Sequence, residues 1–168
     1  MENFNQYLKT QDQAAMLVKA GMRIALVQSL TGLPWRNLKG MWGATHGAEK
    51  PTPRKTPTNT ISYIKRGQSE VGLSTVVSAF FNLKNEHHST TEAFINAWLT
   101  AQIFDEKNQI DINAAWFAIR DSEAGLISLC TCKECHAGYI SDAAETRKQS
   151  ECPFCSNQKK STGGRACE

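Results

Sequence analysis

Two cysteine pairs near the end of the chain constrain its folding more than any other feature. Two residues separate Cys132 from Cys135, two separate Cys152 from Cys155, and sixteen lie between the pairs. A C-x2-C-x16-C-x2-C spacing falls within the range of a four-cysteine zinc site. Two intervening residues let a tight turn aim both sulfurs at one point, and two such turns complete the tetrahedron that Zn²⁺ prefers. Pro153 suits the second turn, since its fixed φ pre-sets the backbone. Between the pairs lie Asp142, Glu145, Arg147 and Lys148, and only Tyr139, Ile140 and Phe154 offer a core. So small a unit needs a metal or a disulfide to fold. Disulfides and reduced structural thiols are the competing uses of these cysteines. Cys130 in place of Cys132 would give a looser C-x4-C match, His136 is a rival ligand, and Cys167 is left over. Four thiolates close the coordination sphere, so the expectation is one structural zinc with no position for water, and not a catalytic metal.

The start, Met1-Glu2-Asn3, has neither a basic nor an apolar signal region, and Lys19 and Arg23 interrupt the longest apolar stretches. A cytoplasmic chain with no membrane contact is expected, where thiol ligands are favoured over disulfides. The 168 residues allow one domain, or one domain and a small module, and 40% hydrophobic content is enough for a core. The predicted division is a helical DNA- and partner-binding domain over 1–125 and a zinc module with a basic tail over 126–168. The whole chain carries only +3, but seven Lys or Arg face two acids between Thr31 and Glu70. Such a patch is the electrostatic footprint expected for nucleic acid.

The expected fold is mainly α. Ala14, Leu17, Val18, Met22, Ala25 and Leu26 recur at helical spacing across Gln11–Leu30, with Gly21 marking a break or a close packing point. From Val27 to Trp42 the chain reads as a helix-turn-helix. Val27 and Leu30 would close the first helix inward, and Gly32 would supply the turn, with Leu33 beneath it. Pro34 would sit in the first turn of the second helix, Leu38 and Met41 on its buried face, and Trp35, Arg36, Asn37 and Lys39 on its exposed face. Arg36 and Asn37 carry the donors that read guanine and adenine edges, with Lys39 beside them. Gln28 stands where a small residue is usual and Gly40 weakens the second helix, so an ordinary helical hairpin is the competing reading.

Gly43–Thr60 reads as a loop with His46 on its surface, and the prolines from Pro51 to Pro57 would present Arg54 and Lys55 on extended backbone to phosphates. Lys133, Arg147 and Lys148 around the cysteines would extend such a footprint. Past Ser69, Leu73, Val76, Val77, Phe80 and Phe81 form an apolar stripe, and His87-His88 fall in a polar connection. Ser89-Thr-Thr-Glu92 reads as a capping box. It precedes Phe94, Ala97, Trp98, Ala101 and Phe104, whose aromatics are read as core. Asp111 reads as the next N-cap, with Ala115, Trp116 and Ile119 buried and Gly125 ending that helix. The stripes around Leu17 and Leu73 are expected to leave apolar surface for a helical partner. No phosphate loop, nucleophile–base pair or catalytic pair of acids is visible, so an enzyme is not expected.

Several of these residues, in this order, resemble the FlhC family, the C subunit of the bacterial flagellar master transcriptional activator. They are Gly21-x-Arg23, Thr31-x-Leu33 with Leu38, and Pro51-x-Pro53-Arg54. Ala115-Trp116-x4-Asp121-x-Glu123-x-Gly125-Leu126 follows, ahead of the cysteine pairs. The resemblance implies a mainly helical protein with a C-terminal zinc site, assembled with a helical, FlhD-like subunit into a hetero-oligomer. That complex would bind promoter DNA and recruit RNA polymerase. Relatives on conjugative plasmids and integrative elements activate transfer genes instead, so the resemblance implies either flagellar or conjugative-transfer genes as targets. The competing function is a zinc-ribbon adaptor that docks proteins without reading DNA.

Overall fold

The structure is a computed structural model that describes residues 2–48, 56–86, 89–104, 109–143 and 152–156. Among the described residues, seven helices precede one hairpin: α1 (Glu2–Lys19), α2 (Ile24–Thr31), α3 (Trp35–His46), α4 (Thr60–Ile64), α5 (Glu70–Asn85), α6 (Thr90–Phe104) and α7 (Ile112–Glu123). Strands β1 (Ile127–Thr131) and β2 (Gly138–Asp142) follow. The expected mainly helical class holds, with a small antiparallel sheet in which Leu129 faces Ile140 and Thr131 faces Gly138. No described helix is long and apolar enough to cross a membrane.

The helical run over Gln11–Leu30 is two helices, with Gly21 marking the break. Gly21 takes φ +81°, its N–H bonds to Val18 O, and Met22 N–H bonds to Leu17 O. These paired bonds satisfy the last carbonyls of α1 and stop it. Asn113 of α7 holds the break from outside. Its side-chain oxygen accepts Arg23 N–H at 2.9 Å and its amide donates to Gly21 O at 3.2 Å.

Side-chain capping starts the later helices. Ser69 accepts Gly72 N–H ahead of α5, Ser89 and Glu92 make the expected capping box at α6, and Asp111 accepts the N–H groups of Asn113 and Ala114 at α7. Each cap satisfies amides that have no partner within the helix.

One core runs through the helices. Leu17, Met22, Leu38, Leu73, Phe80, Phe94 and Ile119 are fully buried. The stripes at Leu17 and Leu73 are therefore satisfied within the chain, contrary to expectation, because α1 packs on α2 and α3 while α5 packs on α6 and α7. Exposed apolar residues include Phe4, Tyr7, Leu8 and Met16 on α1, and Leu99, Ile103 and Phe104 on α6. Phe104, expected in the core, is 61% exposed because it sits on the last turn of α6. Trp116 is half-buried, edge-to-face with Phe94 at 5.3 Å. Ile140, expected in the cysteine module, joins the main core with Ile127.

Candidate metal centre and nucleic-acid interface

The first cysteine pair lies in the connection between β1 and β2. Cys132 N–H bonds to Ala137 O and His136 N–H bonds to Cys132 O, with His136 at φ +58°. This turn puts Cys132 and Cys135 on one side. The second pair begins a helical turn over residues 153–156, where Ser156 N–H returns to Cys152 O at 3.0 Å.

The four sulfurs of Cys132, Cys135, Cys152 and Cys155 all lie within 4.8 Å of one another. Two separations across the cluster are 3.8 Å (Cys132 to Cys155) and 3.7 Å (Cys135 to Cys152). A disulfide would need about 2.05 Å. A regular tetrahedron with metal–sulfur bonds of about 2.3 Å has edges of about 3.8 Å. The cluster therefore has the dimensions of a metal-binding tetrathiolate. His136 is exposed and Cys130 lies outside the set of four.

The electrostatics point the same way. Backbone N–H groups of Cys135 and Glu134 are directed at the Cys132 sulfur and bring its pKa down to about 7. Cys152 receives the N–H groups of Cys155 and Phe154 in the same pattern, but burial outweighs them and pushes its thiol up. Cys155 is pushed up to about 12, first by its hydrogen bond with Cys135 and then by burial. One thiolate forms readily, and further negative sulfurs at this separation are opposed. A cation removes that opposition, as a coordinating metal deprotonates its thiols.

Cys132, Tyr139 and Cys152 form a small buried cluster with Cys130, Phe154 and Cys155 against it. Phe154 also meets Phe104 of α6, ring centres 6.1 Å apart.

The helix-turn-helix expectation is matched in its local parts. α2 ends at Gly32, which is left-handed at φ +68° and bonds back to Gln28 O. Leu33 is buried, and Pro34 is the N-cap of α3, one position before the helix where it was expected. Leu38 is fully buried. Its inward companion is Trp42, with Met41 half-buried, because a stripe at four-residue spacing faces α1 and α2. Trp35, Arg36, Asn37 and Lys39 are exposed. Helix α3 continues to His46, into the expected loop. His46 is no bystander: its ring lies 4.2 Å from that of Trp42 and its Nε2 bonds to Val18 O at 2.8 Å.

Lys133 is exposed beside the sulfur cluster. Arg54, Lys55, Arg147, Lys148, Cys167, His87 and His88 lie outside the described residues.

A network missed by the sequence reading fixes where the chain returns after α3. Arg23 donates to Pro57 O at 2.5 Å and Arg120 to Thr58 O at 2.7 Å. Asp121, buried, accepts both the N–H and the hydroxyl of Thr60 at 2.7 Å, and Arg120 at 2.5 Å. Both guanidiniums flank Phe117, at 5.2 and 4.4 Å from its ring centre.

Set beside known proteins, the sequence of this chain falls in a class of transcriptional regulators. The Flagellar transcriptional regulator FlhC of Gallionella capsiferriformans (strain ES-2) is 25% identical over 151 residues, covering 84% of this chain and 80% of that protein. The family described as Flagellar transcriptional activator (FlhC) matches residues 4–167. The chain belongs to the FlhC family, and with it to the transcriptional activators.

Proposed function

We propose that this chain is a DNA-binding activator subunit that works with an FlhD-like helical partner to recruit RNA polymerase at promoters of flagellar or conjugative-transfer genes. The observation that carries the DNA role is α3. It buries Leu38 and Trp42 and leaves Arg36, Asn37 and Lys39 in solvent, as a second helix that reads a major groove must. Arg54, Lys55, Lys133, Arg147 and Lys148 add phosphate contacts in this reading. The exposed Phe4, Tyr7 and Leu8 of α1 supply apolar surface for the partner. The tetrathiol centre binds one Zn²⁺, held by Cys132, Cys135, Cys152 and Cys155, and its role is structural because four sulfurs leave no position for water. Its bound cation supplies the charge that keeps the four thiols ionised.

The test separates base from phosphate contacts. Binding to a promoter fragment is measured with the partner present across a salt series. Arg36→Ala is expected to cost about 1–3 kcal/mol on the true site and to relax preference at one position. Lys55→Ala is expected to weaken all sequences alike and to lower the salt slope by about one. Unchanged sequence preference in Arg36→Ala overturns readout by α3. A salt-independent affinity favours the protein-docking adaptor instead.

A further inference from the structure

The metal-binding hairpin rests on one helix through two serines, and the fit there is close. Ser74 and Ser78 are four residues, or about one turn, apart on α5. Ser74 Oγ donates to Glu70 O at 2.7 Å and accepts Ile140 N–H from β2 at 3.0 Å. The helix thus satisfies the edge of β2 that β1 does not use. Two residues earlier on β2, Gly138 lies over Ser78. A Cβ at position 138 would stand 2.8 Å from Ser78 Oγ, closer than real Cβ atoms come.

Gly138 is not among the left-handed glycines, and it is a strand residue, so the backbone there admits any side chain. A side chain there requires Ser78 Oγ to swing aside or β2 to lift from α5, so the tight space favours glycine. Ser78 Oγ is buried without a hydrogen-bond partner among the described residues, so this hydroxyl sits between helix and hairpin with no bond to justify it. Both neighbours of Gly138 touch the centre. Ala137 O closes the first cysteine turn on Cys132 N–H at 3.0 Å, and Tyr139 packs with Cys132 and Cys152. Lifting β2 from α5 therefore moves the frame of the sulfurs.

We propose that α5, through Ser74 against Ile140 and Ser78 against Gly138, is the positioning surface that sets how tightly the tetrathiol centre holds its metal. This rests on the reading that the four cysteines bind Zn²⁺, and the test keeps the two apart. Full-length chain is titrated with Zn²⁺ against a chromogenic chelator, and Co²⁺ absorption reports thiolate ligation. Gly138→Val, which ordinary strand preference would favour, is expected to lower affinity about 10- to 100-fold, the usual range when groups behind metal ligands are disturbed. Its Co²⁺ spectrum at saturation should remain that of four thiolates. Adding Ser78→Gly to Gly138→Val is expected to restore most of the affinity. Gly43→Ala, on α3 with open space around it, should bind as wild type does. Ser74→Ala removes the bond to Ile140 together with the helix-internal one to Glu70 O, and serves if Gly138→Val does not fold; it too should weaken binding. Wild-type affinity in Gly138→Val or in Ser74→Ala, or a double variant as weak as Gly138→Val, overturns the seat. A wild-type chain that takes up no Zn²⁺ overturns the metal reading itself.

Discussion

The helical body and the cysteine end are held by different physics. In the body, Leu17, Leu38, Leu73, Phe80 and Phe94 leave water completely, and capped helices meet across one continuous core. Full burial of each such side chain is worth about 1.5–3 kcal/mol, so no single contact decides whether the body folds. At the cysteine end the buried residues of the local cluster are Cys132, Tyr139 and Cys152. Four thiols converge there, three of them with clearly displaced proton affinities. Stability in one region is spread over many side chains; in the other it would be concentrated on the proposed Zn²⁺ among four converging thiols. The difference teaches where the molecule is robust and where one atom matters.

The largest expected effect follows from that concentration. Cys152→Ala should abolish stoichiometric zinc, measured by metal analysis of the purified chain. It should disorder the cysteine end, since structural zinc in comparable small units contributes an apparent ~10–16 kcal/mol near neutral pH. Far-UV circular dichroism should still show most of the helix, because α1–α7 have their own core. Cys130→Ala should keep its zinc, as Cys130 lies outside the cluster. Full zinc retention in Cys152→Ala would break the comparison at its root.

A middle-sized effect tests the body at its least distributed point. Asp121→Ala leaves the buried N–H and hydroxyl of Thr60 without their acceptor. Each unsatisfied buried donor costs about 1–3 kcal/mol, so denaturant melts should show a loss of about 3 kcal/mol with metal still bound. Thr60→Val in the same chain should make the loss smaller than the sum of the two single changes, the signature of direct contact. Additive losses would mean that Asp121 acts on Arg120 alone.

What was legible in the sequence follows the same division. The cysteine spacing could be read because each pair closes a local turn, and the helices could be read from stripes and caps that span one or two turns. Gly32 and Asp111 took the roles their residue types imply. The clamp could not be read, because Arg23, Asn113, Arg120 and Asp121 meet partners 34 to 92 residues away. Arg23 and Asp121 were noticed through family resemblance, which marks positions without saying what they touch. Their contacts are scaffold: they hold the α1–α2 break and the start of α4. Phe104 and His46 were misread for a related reason. Helical spacing gives a face, and only the packed neighbours decide whether its last residue is covered. Ser74, Ser78 and Gly138 carry no pattern at all, since small residues signal close approach only once the surfaces meet.

The smallest expected effect concerns the part of the body that its own core covers least. Lys9 of α1 pairs with Glu92 at the start of α6, beside a groove of about 460 Å³ lined by Leu8, Met16 and Ile95. The Lys9 side chain is 54% exposed and that of Glu92 29%, so the pair is worth under about 1 kcal/mol after screening. The hydrogen bond from Lys9, with help from Ser89, holds the Glu92 carboxyl below its usual value of 4.5. A carboxyl depressed in the folded state stabilises above its unfolded pKa and stops doing so as pH falls through the folded one. The contribution should thus be complete near neutrality and fade below 4.5. Lys9→Met keeps the apolar stem and removes the charge. Thermal melts should show it slightly less stable than wild type at neutral pH, and equal to it in acid or in high salt. Glu92→Gln should reproduce that pattern while sparing the α6 cap, because the Ser89 hydroxyl still receives the Glu92 N–H. If Lys9→Met costs nothing at any pH while Lys9→Ala does, the stem lying along Leu8 and Ile95 is what fastens α1. The arm would then be held as the rest of the body is, by apolar contact.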